Sequence, residues 1–176
     1  MPWIIRRETD ADFSAVEEVV RRAFENEPHS DHTEHGLVAR LRDSSAFVPE
    51  LSLVAEADGV CVGHILFTRL PIRDGKTEFP SLALAPLSVR PDFQRRGIGS
   101  ALIREGHRLA RDLGFGSAIV LGHPGYYPRF GYRPTLVFGI RSPFAVPDAN
   151  FMAVELKAGA LRRVSGTPEY PHEFGL

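Results

Sequence analysis

The chain has 176 residues, 43% of them hydrophobic and 24% charged, which suits one domain with a real core. A formal net charge of −1 gives no electrostatic reason to bind nucleic acid or an anionic membrane. The single cysteine, Cys61, excludes an internal disulfide and a cysteine-rich zinc site; with no apolar run of membrane-spanning length and no signal-peptide pattern across Arg6, Arg7 and Glu8, a soluble cytoplasmic protein is expected.

Trp3-Ile4-Ile5-Arg6 reads as a first strand, and Thr9 or Asp10 can cap the helix after it. Phe13, Val16, Val20, Ala23 and Phe24 share one helical face. A polar loop, Glu25 to Glu34, leads to a second short helix marked by Leu37, Val38 and Leu41 and ending near Asp43. From Leu51 the pattern turns to β. Leu51 to Glu56 and Val60 to Leu70 flank Asp58-Gly59, a two-residue hairpin signal. Asp74-Gly75 marks another turn, and Phe79 to Val89 reads as a strand interrupted at Pro86, where pairing should be lost or bulged.

The helix that opens at Gly97 carries Ile98, Leu102, Leu109 and Leu113 as its inward face and stops at Gly114. Gly106 weakens it by about 1 kcal/mol relative to alanine, and close packing would account for that. Ser117 to Leu121 is a continuous apolar run suited to a buried parallel strand, which completes a β-α-β unit. One or two helical turns are expected over Gly125 to Phe130, strands over Leu136 to Ile140 and Phe151 to Glu155, and a loop-like tail. No repeat or linker interrupts the chain, so residues 1–176 are expected to form one domain.

Gln94-Arg95-Arg96-Gly97-Ile98-Gly99 stands at a strand-to-helix junction, where bare backbone N–H groups and the helix dipole favour an anion. No Gly-Lys-Ser/Thr follows, so this is no P-loop. A third glycine is missing and the strands before it look antiparallel, so it is no dinucleotide fingerprint either. Taken alone, the pair can also be a packing device at a helix start.

Val89-x-Pro91-x-x-Gln94-x-x-Gly97-x-Gly99 resembles the acetyl-CoA-binding motif of the GNAT superfamily of N-acetyltransferases. Tyr127-x-x-x-Gly131-Tyr132 is similar to that superfamily's Tyr-x-x-x-Gly-Phe segment, with tyrosine in the last place. The run from Leu121 to Tyr132 is particularly similar to a bacterial branch of N-acetyltransferases. The resemblance implies a single α/β (α+β) domain: a mixed, mostly antiparallel sheet, two splayed parallel central strands at Leu82–Val89 and Ser117–Leu121, and helices on both faces.

The resemblance also implies roles. The pyrophosphate of acetyl-CoA would rest on the amides from Arg95 through Arg96, Gly97, Ile98 and Gly99 to Ser100, with Gln94 in the same motif. The pantetheine arm would lie along Leu87, Ser88 and Val89, and an N–H near Val89 could polarise the acetyl carbonyl. Tyr127 would contact the cofactor and give a proton to the departing thiolate, or else pack under the cofactor. No metal is called for. The acceptor would be a primary amine on a small molecule or a protein. A homodimer is compatible with the family but has no marker in the sequence.

Many relatives carry a glutamate on the strand before the Gly-rich turn; Leu82-Ala83-Leu84-Ala85 offers none. Glu34, Glu56, His64 and His123 are candidates for the base, with Glu34, His64 and His123 also candidate acceptor contacts, and water is a further choice. His29, His32 and His35 recur every third residue, but in a loop with Pro28 they define no ligand geometry. A non-catalytic acyl-CoA sensor and a transferase for longer acyl chains are the rival readings.

Overall fold

In the computed structural model, which describes residues 2–176, Ile4–Arg7 form strand β1. The Thr9 N–H and hydroxyl both donate to the Asp12 carboxylate, at 2.7 and 3.1 Å, and Asp12 N–H returns to Thr9 O at 2.9 Å. This closed box starts a 3-10 turn, Asp10–Asp12, that leads into helix α1, Phe13–Phe24. Val16 and Val20 on its apolar face are buried, while Phe13 is covered by the Arg42 guanidinium, 3.9 Å from the ring centroid. Helix α2 spans Glu34–Arg42, so it begins in the polar loop rather than at Leu37.

Asp58 and Gly59 have φ of +51° and +78°, the left-handed pair of a type I′ turn. They join β2, Phe47–Ala57, to β3, Val60–Arg69. β1 pairs antiparallel with β2 from Ile4↔Glu56 to Arg7↔Leu53. Next come β4 (Ile72–Asp74), β5 (Thr77–Phe79) and β6 (Leu82–Val89). The strand expected over Phe79 to Val89 therefore breaks at Pro80-Ser81 and not at Pro86. Pro80 has no N–H for a ladder, and Ser81 O instead accepts from Leu70 N–H at 3.0 Å. Pro86 lies within β6 after a cis peptide bond.

Helix α3 is Ile98–Asp112. Leu113 falls just past its end and is 44% exposed, so it does not join the inward face; Ile98, Leu102, Ile103, Gly106 and Ala110 do. β7 (Ser117–Leu121), β8 (Arg133–Pro134), β9 (Phe151–Glu155) and β10 (Thr167–Pro168) complete the strands. Leu136 to Ile140 is not the expected strand. It is a 3-10 turn, Thr135–Phe138, followed by an isolated bridge at Ile140. Pro134 lacks the donor that would carry the β8 ladder onward.

The seven-stranded sheet has the order β1-β2-β3-β6-β7-β9-β8, and a three-stranded sheet the order β10-β4-β5. β7 and β9 are antiparallel from Ser117↔Glu155 to Leu121↔Phe151, and β6 and β7 are parallel at Ala83↔Ile119. The fold is thus mixed and mostly antiparallel, with one parallel pair in its large sheet, as the sequence implied.

The backbone gathers into two compact units, Met1–Phe67 with Ala85–Leu109 and Thr68–Leu84 with Ala110–Leu176. In the first, β3 carries helices on both faces. A Cβ at Gly63 would stand 3.2 Å from both Ile98 Cγ2 and Leu102 Cδ1 of α3, whereas His64, next along the strand, faces the Arg42 end of α2 through the network described below. The second unit packs Leu70, Ile72, Ala83, Ile119, Ile140, Phe151, Ala153 and Leu161 into one core. The tail covers that core: the Tyr170 ring packs tilted against Phe144 and edge-on against Phe174, each at 5.1 Å between centroids.

Candidate active site

The Gly-rich turn belongs to the first unit. Arg90 N–H leaves β6 toward β3 and reaches Val62 O at 2.8 Å. Successive N–H groups of a strand alternate in direction, so those of Val89 and Leu87 point away from β3. The side chains alternate too: Ser88 is buried, and Leu87 and Val89 are half-buried. Pro91–Phe93 then form a 3-10 turn, and Gln94 Nε2 reaches back to Val89 O at 3.1 Å. Gln94 thereby ties the turn to the end of the strand.

Arg95 and Gly97 have φ of +63° and +87°. Glycine takes that conformation freely and arginine at a cost of about 1–3 kcal/mol, a strain typical of ligand-holding turns. Gln94, Arg95, Arg96 and Gly97 are all exposed. The first N–H to turn back into the helix is Ala101, onto Gly97 O at 3.0 Å. The N–H groups of Ile98, Gly99 and Ser100 therefore sit in the first helical turn, where no intrahelical acceptor exists. Arg95 and Arg96 stand in this turn, and Arg90 precedes it. Arg90 pairs with Asp92 at 2.8 Å, and the guanidiniums of Arg90 and Arg96 lie 5.4 and 5.0 Å from the Phe93 centroid. The arrangement fits a pyrophosphate: amides at a helix N-terminus with cationic side chains in the same turn.

Tyr127 belongs to the second unit. The N–H groups of Tyr126 and Tyr127 both turn back to His123 O, at 3.1 and 3.4 Å, and Tyr127–Phe130 form a 3-10 turn closed by Gly131 N–H on Pro128 O at 3.0 Å. The Tyr127 ring is held edge-on between Tyr126 and Tyr132, with centroids 5.2 and 5.7 Å away. The ring packs against Gly122, where a Cβ would come within 2.4 Å of Tyr127 Cε2. Burial, with Tyr126 second, pushes the phenol well above its usual range. Tyr127 therefore stays protonated throughout the physiological range.

The base candidates are scattered. Glu34 is half-buried and accepts from Ser30 Oγ at 2.7 Å. His123 is exposed, and its carbonyl serves the tyrosine turn. Glu56 accepts from Arg6 Nε at 2.8 Å. His64 is wholly interior, with Nε2 3.0 Å from Ser52 Oγ. Ser52 Oγ donates to Glu8 Oε1 at 3.0 Å, and Glu8 is paired with Arg42 at 2.6 Å. Because the Ser52 proton goes to the carboxylate, Ser52 must accept from His64 Nε2–H. Burial, with the Arg42 charge second, lowers the His64 pKa to about 3, so the ring is neutral and its 3.8 Å separation from Glu8 is not an ion pair. His64 Nδ1 is buried without a partner. Among the described residues no three His, Cys, Asp or Glu side chains cluster to hold a metal ion, and no helix is long and apolar enough to cross a membrane.

Gly122 and Asn150 escaped the sequence reading. Gly122 had a signal, a small residue preceding the tyrosine turn. Asn150, whose Nδ2 donates to Gly122 O at 3.2 Å, had none, because that partner is set by strand register.

Residues 13–132 match the model of the acetyltransferase (GNAT) family. The uncharacterized N-acetyltransferase YjhQ of Escherichia coli K12 is 40% identical over 142 residues, covering 80% of this chain and 75% of that protein. A crystal structure of the Escherichia coli GNAT family N-acetyltransferase YhbS in complex with CoA superposes with a TM-score of 0.89 at 26% identity, over 99% of this chain and 92% of that one. A GNAT family acetyltransferase from Brucella melitensis in complex with acetyl-CoA gives a TM-score of 0.81 at 32% identity, over 98% of each chain.

Proposed function

This chain belongs to the GNAT acetyltransferase family, and from that premise we propose that it moves an acetyl group from acetyl-CoA to a primary amine. The observation that carries the reading is the exposed Gly97 turn, whose left-handed residues open the first amides of α3 to a ligand. Relatives of the same fold that hold CoA and acetyl-CoA support the choice of that ligand.

In this reading the amides from Arg95 to Ser100 bind the pyrophosphate, with Arg95 and Arg96 adding charge. Leu87 and Val89 bind the pantetheine arm through the backbone, with Ser88 between them along the same strand. The neutral amine attacks the acetyl carbonyl; a C–N bond forms and the oxyanion of the tetrahedral intermediate is met by the Val89 N–H. The C–S bond then breaks, the thiolate takes the Tyr127 phenolic proton, and the phenolate recovers a proton from solvent, which receives the one the amine loses. The amine gives its surplus proton to water or to a solvent-reaching group such as Glu34 or His123. His64, neutral and interior, serves no such step. The acceptor is a primary amine on a small molecule or a protein.

Calorimetric titration tests the turn. Acetyl-CoA and CoA should bind at a single site, and Gly97→Glu, which sets a side chain and a negative charge at a left-handed position facing the pyrophosphate, should abolish binding while the protein stays folded, its unfolding temperature lowered by several degrees for the strained backbone. Unchanged affinity in that variant would remove the turn from the cofactor site.

A further inference from the structure

The antiparallel register of β7 and β9 runs to Leu121↔Phe151, so the next rung, just past both strands, pairs Gly122 with Asn150. At such a rung each residue gives its N–H to the other's carbonyl. Gly122 does so, donating to Asn150 O at 2.8 Å. Asn150 does not: its N–H closes the turn from Pro147 by donating to Pro147 O at 3.0 Å. Its side chain supplies the missing donor instead, with Nδ2 3.2 Å from Gly122 O. A side-chain amide thus completes a backbone rung at a residue against which the Tyr127 ring packs. A Cβ at Gly122 would stand 2.4 Å from Tyr127 Cε2 and 2.9 Å from Cδ2, so the ring position follows the Gly122 backbone.

We propose that Asn150 is a positioning residue for the transfer reaction, fixing the Gly122 backbone and through it the place from which the Tyr127 phenol gives up its proton. The inference rests on the acid role of Tyr127 proposed above. Asn150 itself touches no reacting atom.

The test uses Asn150→Asp, which keeps the side chain's size but replaces the donor with a carboxylate oxygen facing a carbonyl, and Gly122→Ala, which keeps Asn150 but displaces the ring. Displacement of a catalytic group by about 1 Å can cost roughly a hundredfold in rate, so each variant should lose about ten- to a hundredfold in kcat for amine-dependent thiol release. The calorimetric Kd for acetyl-CoA should stay at the wild-type value. In a Tyr127→Phe background neither change should lower kcat further, because their effect passes through the phenol. Full kcat in both variants, with Tyr127→Phe impaired, would overturn the inference and leave the acid role standing. An equal further loss in the Tyr127→Phe background would overturn it too, marking Asn150 as merely structural. Full activity of Tyr127→Phe itself would remove the acid role and this inference with it.

Discussion

A phenol enclosed by other rings holds its proton until something nearby needs it more. Tyr127 is such a group, and Tyr127→Phe should lower kcat by roughly a hundredfold while the Kd for acetyl-CoA is unchanged; steady-state kinetics and calorimetry together check the split. Since burial raises its pKa above the ordinary tyrosine range, the kcat profile should show no loss from ionisation of this group up to about pH 10. His64 makes the opposite kind of statement. Its pKa is about 3 in the folded chain against about 6.5 unfolded, so the unfolded state binds the extra proton. Its contribution to stability is fully present above pH 6.5 and is lost progressively as pH falls toward 3. His64→Gln, which can still donate to Ser52, should flatten the acid side of the unfolding-temperature profile; an unchanged slope would show that His64 does not carry it. Tyr127 was legible in the sequence because its spacing to Gly131 is local. His64 was legible only as a residue type: its neutral state depends on burial and on the Arg42 charge, both of which only the folded chain supplies.

At the scale of elements, α3 lies against β3 because small residues stand where large ones must fit. A Cβ on Gly106 would sit 2.3 Å from Phe67 Cε2, which explains a glycine in the middle of an otherwise strong helix. Gly106→Ala should gain helix propensity yet destabilise by about 1–3 kcal/mol through overpacking, measured by denaturant unfolding, and Phe67→Leu should return part of the loss. A stabilised single variant would show that the ring yields without cost. Periodicity found α3, the Asp58-Gly59 pair marked the hairpin, and a continuous apolar run marked β7. It failed at Leu136 to Ile140, where apolar residues without a ladder donor at Pro134 became a half-exposed 3-10 turn. It also failed at Leu113, where the apolar pattern outlasts the helix.

At the scale of the whole molecule, the family match over residues 13–132 runs through segments of both compact units. The order of strands around the Gly97 helix was readable; the three-stranded sheet was not, because β4, β5 and β10 have only two or three residues each, too few for any alternation to show. The central claim is acetyl transfer, and the most direct measurement is thiol release from acetyl-CoA by the purified protein over a panel of primary amines, with mass spectrometry of each amine. The account predicts release that requires both protein and amine and is matched by one added acetyl group on the amine. Saturable binding of acetyl-CoA with no release above background for any amine would contradict it and favour an acyl-CoA sensor.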